Sequence, residues 1–174
     1  MAAFQLSSGI NFAKQYGSTL EPKRQSRAND FHINKKGGFM ALIQWDQKYE
    51  TGIKQFDEHH QKLVDLINKL YDAMRAGQGN SILASVFNEL IAYTQYHFSA
   101  EEKLFKETKY IAAATHIREH QKLVEKVTEL KTQFDQGKMG ITSQTLNFLR
   151  DWIVNHIQKS DKGYVLHFKK YGIK

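Results

Sequence analysis

The sequence predicts an all-α protein: an up-down-up-down antiparallel four-helix bundle with a short N-terminal arm and a disordered N-terminal extension. Three observations carry this expectation. The single proline among 174 residues is Pro22, so residues 23–174 contain none. Long helices suit such a run, and a loop-rich β chain does not. From residue 54 apolar residues return at three- and four-residue steps, the period of a helix face. Glycines fall where that period stops, at Gly77 and Gly79 and again at Gly137 and Gly140.

Residues 1–39 are rich in Gly, Ser, Asn, Gln and Lys and show no sustained period, so they are expected to form a disordered basic extension. Met40 opens a segment of different texture, and residues 40–174 are expected to make the bundle domain. In the first helix Phe56, His60, Leu63, Val64, Ile67, Leu70, Tyr71 and Met74 share one face. Asp57, near its start, suits capping or dipole compensation. Asn80 or Ser81 can cap the second helix, whose face carries Leu83, Val86, Phe87, Leu90, Ile91, Thr94, His97, Phe98, Glu101, Leu104 and Phe105. Residues 80–136 hold neither Gly nor Pro, and the break before the third helix is placed at Thr108–Ala112, where the periodicity slips. That helix is expected from about Ile111 to Phe134. Thr142 or Ser143 can cap the fourth, which carries Leu146, Leu149, Trp152, Ile153, His156 and Ile157.

Composition removes several functions. With no cysteine there are no disulfides, thiolate zinc sites, Cys-ligated clusters or Cys nucleophiles. The net charge of +7 first suggests nucleic acid. Residues 1–39 hold six of the basic and two of the acidic side chains, however, which leaves only +3 for the bundle. No dense Lys/Arg stripe appears there, so no nucleic-acid partner is expected. No apolar run reaches the ~18–20 residues that span a bilayer, and no secretory signal is visible, so a cytoplasmic protein without a membrane partner is expected. No protein partner is indicated.

The eight histidines carry the chemistry. His60, His97, His116, His120 and His156 lie on apolar stripes. One such histidine is usually a hydrogen-bonded core residue. Five of them over four helices would cost several kcal/mol without partners, and a metal centre satisfies many nitrogens at once. His97 and Glu101 are four apart, as are His116 and His120, about 40° around a helix. His156 and Asp161 are five apart, roughly 140° on a regular helix. They converge only if the helix ends, tightens or bulges near Asp161, as a π-bulge allows. Five imidazoles and two carboxylates are too many for one tetrahedral zinc and suit two ions bridged by carboxylates. Iron fits this donor set best, with copper and zinc remaining possible.

These residues reach a known pattern. The segment from 42 to about 172 resembles the hemerythrin family. It shows Trp45, Gly52-Ile53, and Asp57-Glu58-His59-His60 followed by Leu63. It continues with His97-Phe98-Ser99-Ala100-Glu101-Glu102, Tyr110, His116-Ile117-Arg118-Glu119-His120, Trp152-Ile153-Val154-Asn155-His156 and Asp161. The resemblance implies two non-heme iron ions (Fe2+/Fe3+) with an oxo or hydroxo bridge. His116, His120 and His156 would hold one, and His60 and His97 the other. Glu101 and Asp161 would bridge them. It implies a non-enzyme that binds dioxygen reversibly at the open position of the two-histidine iron. Sensing of oxygen, nitric oxide or iron, and peroxide handling, are the alternatives for the same centre. Trp152 and Ile153 fall at positions flanking the oxygen pocket, and Leu63, Val64 and Ile67 follow His60 on its face. Ile111 departs from the proline common after this tyrosine. Spacing and apolar phase favour His60 over His59, which is expected not to point inward, and the four-residue step from His97 favours Glu101 over Glu102, which reads as a solvated or supporting acid. His167 is expected at the surface or in packing, and His32 belongs to the extension.

Two other patterns compete. His116-Ile117-Arg118-Glu119-His120 spells the H-x-x-E-H of inverted zinc peptidases. That reading leaves His60, His97 and His156 unexplained, and no strand pattern accompanies it. Ferritin-like oxidases use Glu-x-x-His pairs, and none occurs here.

Overall fold

A computed structural model describes residues 40–174. The expected extension at 1–39 lies outside the described residues. An arm with a single 3-10 turn at Gln47–Tyr49 leads into α1 (Lys54–Arg75), followed by α2 (Asn80–Thr108) and α3 (Ala113–Asp135). The last leg of the bundle is continuous: α4 (Ser143–His156) passes through a π-helical segment, Ile157–Asp161, into α5 (Lys162–Lys170). No strand occurs among the described residues. The architecture is the expected antiparallel four-helix bundle, with α1 packed on α2 and α4, and α2 on α3.

Two side chains of α1 pin the arm. Asn68 accepts from the Ile43 N–H and donates to the Ile43 carbonyl, both at 2.9 Å. Asp57 accepts from the Thr51 N–H and hydroxyl at 2.7 Å each and from the Gly52 N–H at 3.0 Å. Its carboxylate thus ties down the chain entering the helix and complements the helix N-terminus.

The helix ends differ in detail from expectation. Gly79, rather than Asn80 or Ser81, occupies the N-cap of α2, and no side chain caps that end. Thr142 caps α4 by accepting from the Thr145 N–H. With no glycine available between α2 and α3, Lys109 takes the left-handed conformation (φ 54°, ψ 49°) that closes α2. A non-glycine residue there costs roughly 1–2 kcal/mol. The third helix then begins at Ala113, and Ile111 stands 95 % exposed in the turn.

The interior has two apolar clusters. The larger includes Leu63, Ile67, Leu90, Phe98, Leu123, Leu149 and Ile153. The smaller comprises Ile53, Phe56, Phe105, Tyr164 and Phe168. Tyr71 and Met74 are only half-buried, while Leu66 and Ala73 complete the inner face of α1. The polar residues of the site touch rings from both clusters.

Candidate metal centre

All seven residues singled out by spacing are buried. His60, His97, Glu101 and Asp161 have no exposure, and His116, His120 and His156 have 4 % or less. α1 supplies His60, α2 His97 and Glu101, α3 His116 and His120, α4 His156, and the π-helical segment Asp161. That π-helical segment is the bulge, one of the irregularities that the five-residue spacing left open. It turns Asp161 inward beside His156, with Nε2 to Oδ1 at 3.1 Å.

The donor atoms converge in two groups, each within 4.8 Å internally. One is Glu101, His116, His120 and His156; the other is His60, His97, Glu101 and Asp161. Glu101 belongs to both. Its Oε2 lies 3.2 Å from His120 Nε2 and 3.5 Å from His116 Nε2, while Oε1 lies 3.8 Å from His97 Nε2. Asp161 also faces both sides: Oδ2 is 3.0 Å from His60 Nε2 and Oδ1 3.3 Å from His116 Nε2.

The donor set fits cations better than it fits itself. His60 Nε2, His97 Nε2, His116 Nε2, Glu101 Oε2 and both Asp161 oxygens are buried without a hydrogen-bond partner. Several stand at ion-pair distance, but their directions make no hydrogen bonds. They gather instead within 4.8 Å of one another in each group. The Nε2 atoms of His120 and His156 are 3.2 Å apart while each Nδ1 faces a carboxylate, Glu102 and Glu119 respectively. With both Nδ1 protonated, two bare lone pairs confront each other, and only a shared cation or proton relieves them.

The electrostatics agree. Burial, aided by His60 and His120 and opposed by the Glu101 and Asp161 carboxylates, pushes His97 down to about 3, so its ring is neutral at ordinary pH. Burial also works against charge on His116, but the Asp161 and Glu101 carboxylates outweigh it and push that ring up to about 9. Burial and the neighbouring Asp161 would raise Glu101, yet His97, His116 and His120 hold it below the usual carboxylate range. The site therefore takes positive charge readily, as protons or as metal.

Aromatic rings wall the cluster. Phe98 stacks on His120 with centroids 3.6 Å apart, and Trp152 stacks on His156 at 4.3 Å. Phe105 and Tyr164 lie against His116.

Sequence reasoning missed two supports. Tyr164 is fully buried and donates its hydroxyl to Glu101 Oε1 at 2.6 Å. Glu119 accepts from His156 Nδ1 and from Ser160 Oγ, so it has a role unrelated to a zinc-peptidase base. Tyr164 sits eight residues after His156, the phase of one helix face, but the bulge between them hid that signal. His59 is a correction: it is buried at 7 % exposure rather than turned outward, among Phe56, Tyr93, Tyr96 and His97. It joins neither donor group. His167 makes packing contacts as expected, and its Nε2 approaches the Thr108 carbonyl at 3.1 Å.

An antiparallel four-helix bundle with a shared His/carboxylate cluster at its centre defines a class of helical cation-binding proteins. The comparisons name the family. The model of the hemerythrin HHE cation-binding domain matches residues 51–166, and the chain belongs to the hemerythrin family. Bacteriohemerythrin of Methylococcus capsulatus (strain ATCC 33009 / NCIMB 11132 / Bath) is 36 % identical over 126 residues, 72 % of this chain and 95 % of the relative. Bacteriohemerythrin of Pseudomonas aeruginosa (strain LESB58) is 33 % identical over 126 residues, 72 % of this chain and 81 % of the relative. A crystal structure of wild-type hemerythrin superposes with a TM-score of 0.67 at 36 % identity, covering 71 % of this chain and 95 % of that one. No helix among the described residues is long and apolar enough to cross a membrane.

Proposed function

We propose that the centre holds two iron ions and binds dioxygen reversibly, as a carrier or store rather than an enzyme. His116, His120 and His156 serve one ion, His60 and His97 the other, and Glu101 and Asp161 face both. One observation supports this most: two buried donor groups share Glu101, and six of their facing atoms lack hydrogen-bond partners. Iron bound there would supply the electrons that dioxygen takes up on binding and returns on release.

The chain's own residues contribute shelter and orientation. Leu63, Ile67, Phe98, Leu123, Trp152 and Ile153 line much of an apolar cavity of about 40 Å³. A single water needs roughly 10–15 Å³ and polar partners, so this space suits a small apolar molecule better. Phe98 and Trp152 line this space and stack on His120 and His156. The Tyr164 hydroxyl fixes the Glu101 carboxylate, and His97, kept neutral, offers its nitrogen lone pair.

The reduced, iron-loaded protein should carry about two iron atoms per chain. It should gain a visible absorption band with dioxygen that fades on deoxygenation, over repeated cycles. Irreversible oxidation, or steady consumption of peroxide, would replace the carrier reading with a catalytic one.

A further inference from the structure

The two donor groups differ in what stands behind their imidazoles. His120 Nδ1 lies 3.0 Å from Glu102 Oε1, and His156 Nδ1 lies 3.0 Å from Glu119 Oε2. Ser160 Oγ donates to the same Glu119 oxygen at 2.6 Å, so the π-helical segment that delivers Asp161 also anchors Glu119. Both acids reach inward from the surface, with side chains 36 % and 41 % exposed. Across the site the arrangement is absent. Nδ1 of His60 and Nδ1 of His97 are buried with no hydrogen-bond partner. Those two rings are held by packing, against each other at 4.7 Å and against Phe56 at 6.0 Å from His97.

A carboxylate on Nδ1 fixes the tautomer, holds the ring in orientation and makes Nε2 a stronger donor. A buried Nδ1–H without an acceptor does the opposite: coordination through Nε2 must carry an unsatisfied donor. Resting on the two-metal reading above, we propose that Glu102 and Glu119 are positioning residues that make the three-histidine subsite the tighter of the two. The chain then fills in order, with the His116–His120–His156 side first and the His60–His97 side second, and it empties in reverse. This places the labile, more reactive ion on the side that no carboxylate supports.

The test uses the full chain, metal-free, with cobalt(II) alone added stepwise while its ligand-field bands are followed. Wild type should show two steps of one ion each. Glu102→Gln and Glu119→Gln keep a hydrogen-bond acceptor but lose the charge. Each should weaken the first step by about 10- to 100-fold and leave the second in place. The double variant should bring the two steps together. A chelator arm needs no variant: from loaded wild type, half the cobalt should leave fast, and the remaining half should keep the first-step spectrum. The proposal is overturned if the glutamine variants leave the first step unchanged or shift both steps equally, or if the chelator removes both ions at one rate. Those outcomes leave two-metal binding intact. Uptake of a single cobalt ion by wild type would instead remove the two-metal reading itself.

Discussion

At the scale of single residues, the adjacent pair His59-His60 separates role from burial. Both rings are inside, yet only His60 belongs to a donor group, while His59 packs among aromatic rings with its Nδ1 unpartnered. Apolar phase and spacing from Asp57 pointed to His60. They wrongly implied that His59 would turn outward, because the inner face of α1 is wide enough for both. His60→Ala should therefore drop iron from about two to about one atom per chain and abolish oxygen binding. His59→Ala should keep both irons and lose roughly 2–4 kcal/mol of stability, the cost of a cavity left by a buried ring. Metal analysis and denaturant unfolding of both variants check this, and a His59→Ala protein short of iron would show the wrong histidine was chosen. Glu101 over Glu102 was similarly legible from the four-residue step. That Glu102 turns to His120 Nδ1 was not, since the contact joins α2 to α3.

At the scale of elements, two local devices shape the site. Lys109 ends α2 in the left-handed region, where a Cβ is a burden. Lys109→Gly should stabilise the fold by about 0.5–1 kcal/mol, raising the melting temperature without touching metal content. A fall in melting temperature would mean that the Lys109 side chain contributes more than its backbone costs. The π-helical segment is the second device. One alanine inserted after Lys159 rotates everything beyond by about 100°. Asp161, Tyr164 and Phe168 then leave the inner face, and both iron content and stability should collapse. Removing Lys159 should restore an ordinary four-residue step from His156 to Asp161 and retain most of the metal. Equal damage from insertion and deletion would show that the bulge matters for more than phase. The five-residue spacing made some such irregularity legible, but not what else it brings: Ser160 against Glu119 and Tyr164 under Glu101.

At the scale of the whole molecule, protons and metal compete for one buried cluster. In the metal-free fold His116 is raised from 6.5 to about 9, so the folded state binds this proton more tightly than the unfolded chain. That contribution is complete below 6.5 and is lost as pH climbs through about 9. The metal-free protein should therefore lose stability from pH 6.5 to 9, whereas the loaded protein should not follow it, since metal has displaced the proton. Denaturant unfolding of both forms across that range checks it; metal-free stability rising with pH would mean that His116 is neutral in the fold. The sequence by itself determined the all-helical bundle, because the apolar period and the proline-free run are local signals along each helix. It also marked the seven buried polar side chains that converge, because apolar phase and local spacing are decided within each helix. Only the tertiary structure decided which donors share Glu101, and that Glu102, Glu119 and Tyr164 support them. It also showed that two imidazoles of one group are backed by carboxylates while those of the other are not. Those contacts join residues 18 to 63 positions apart, and they exist only once the helices pack side by side.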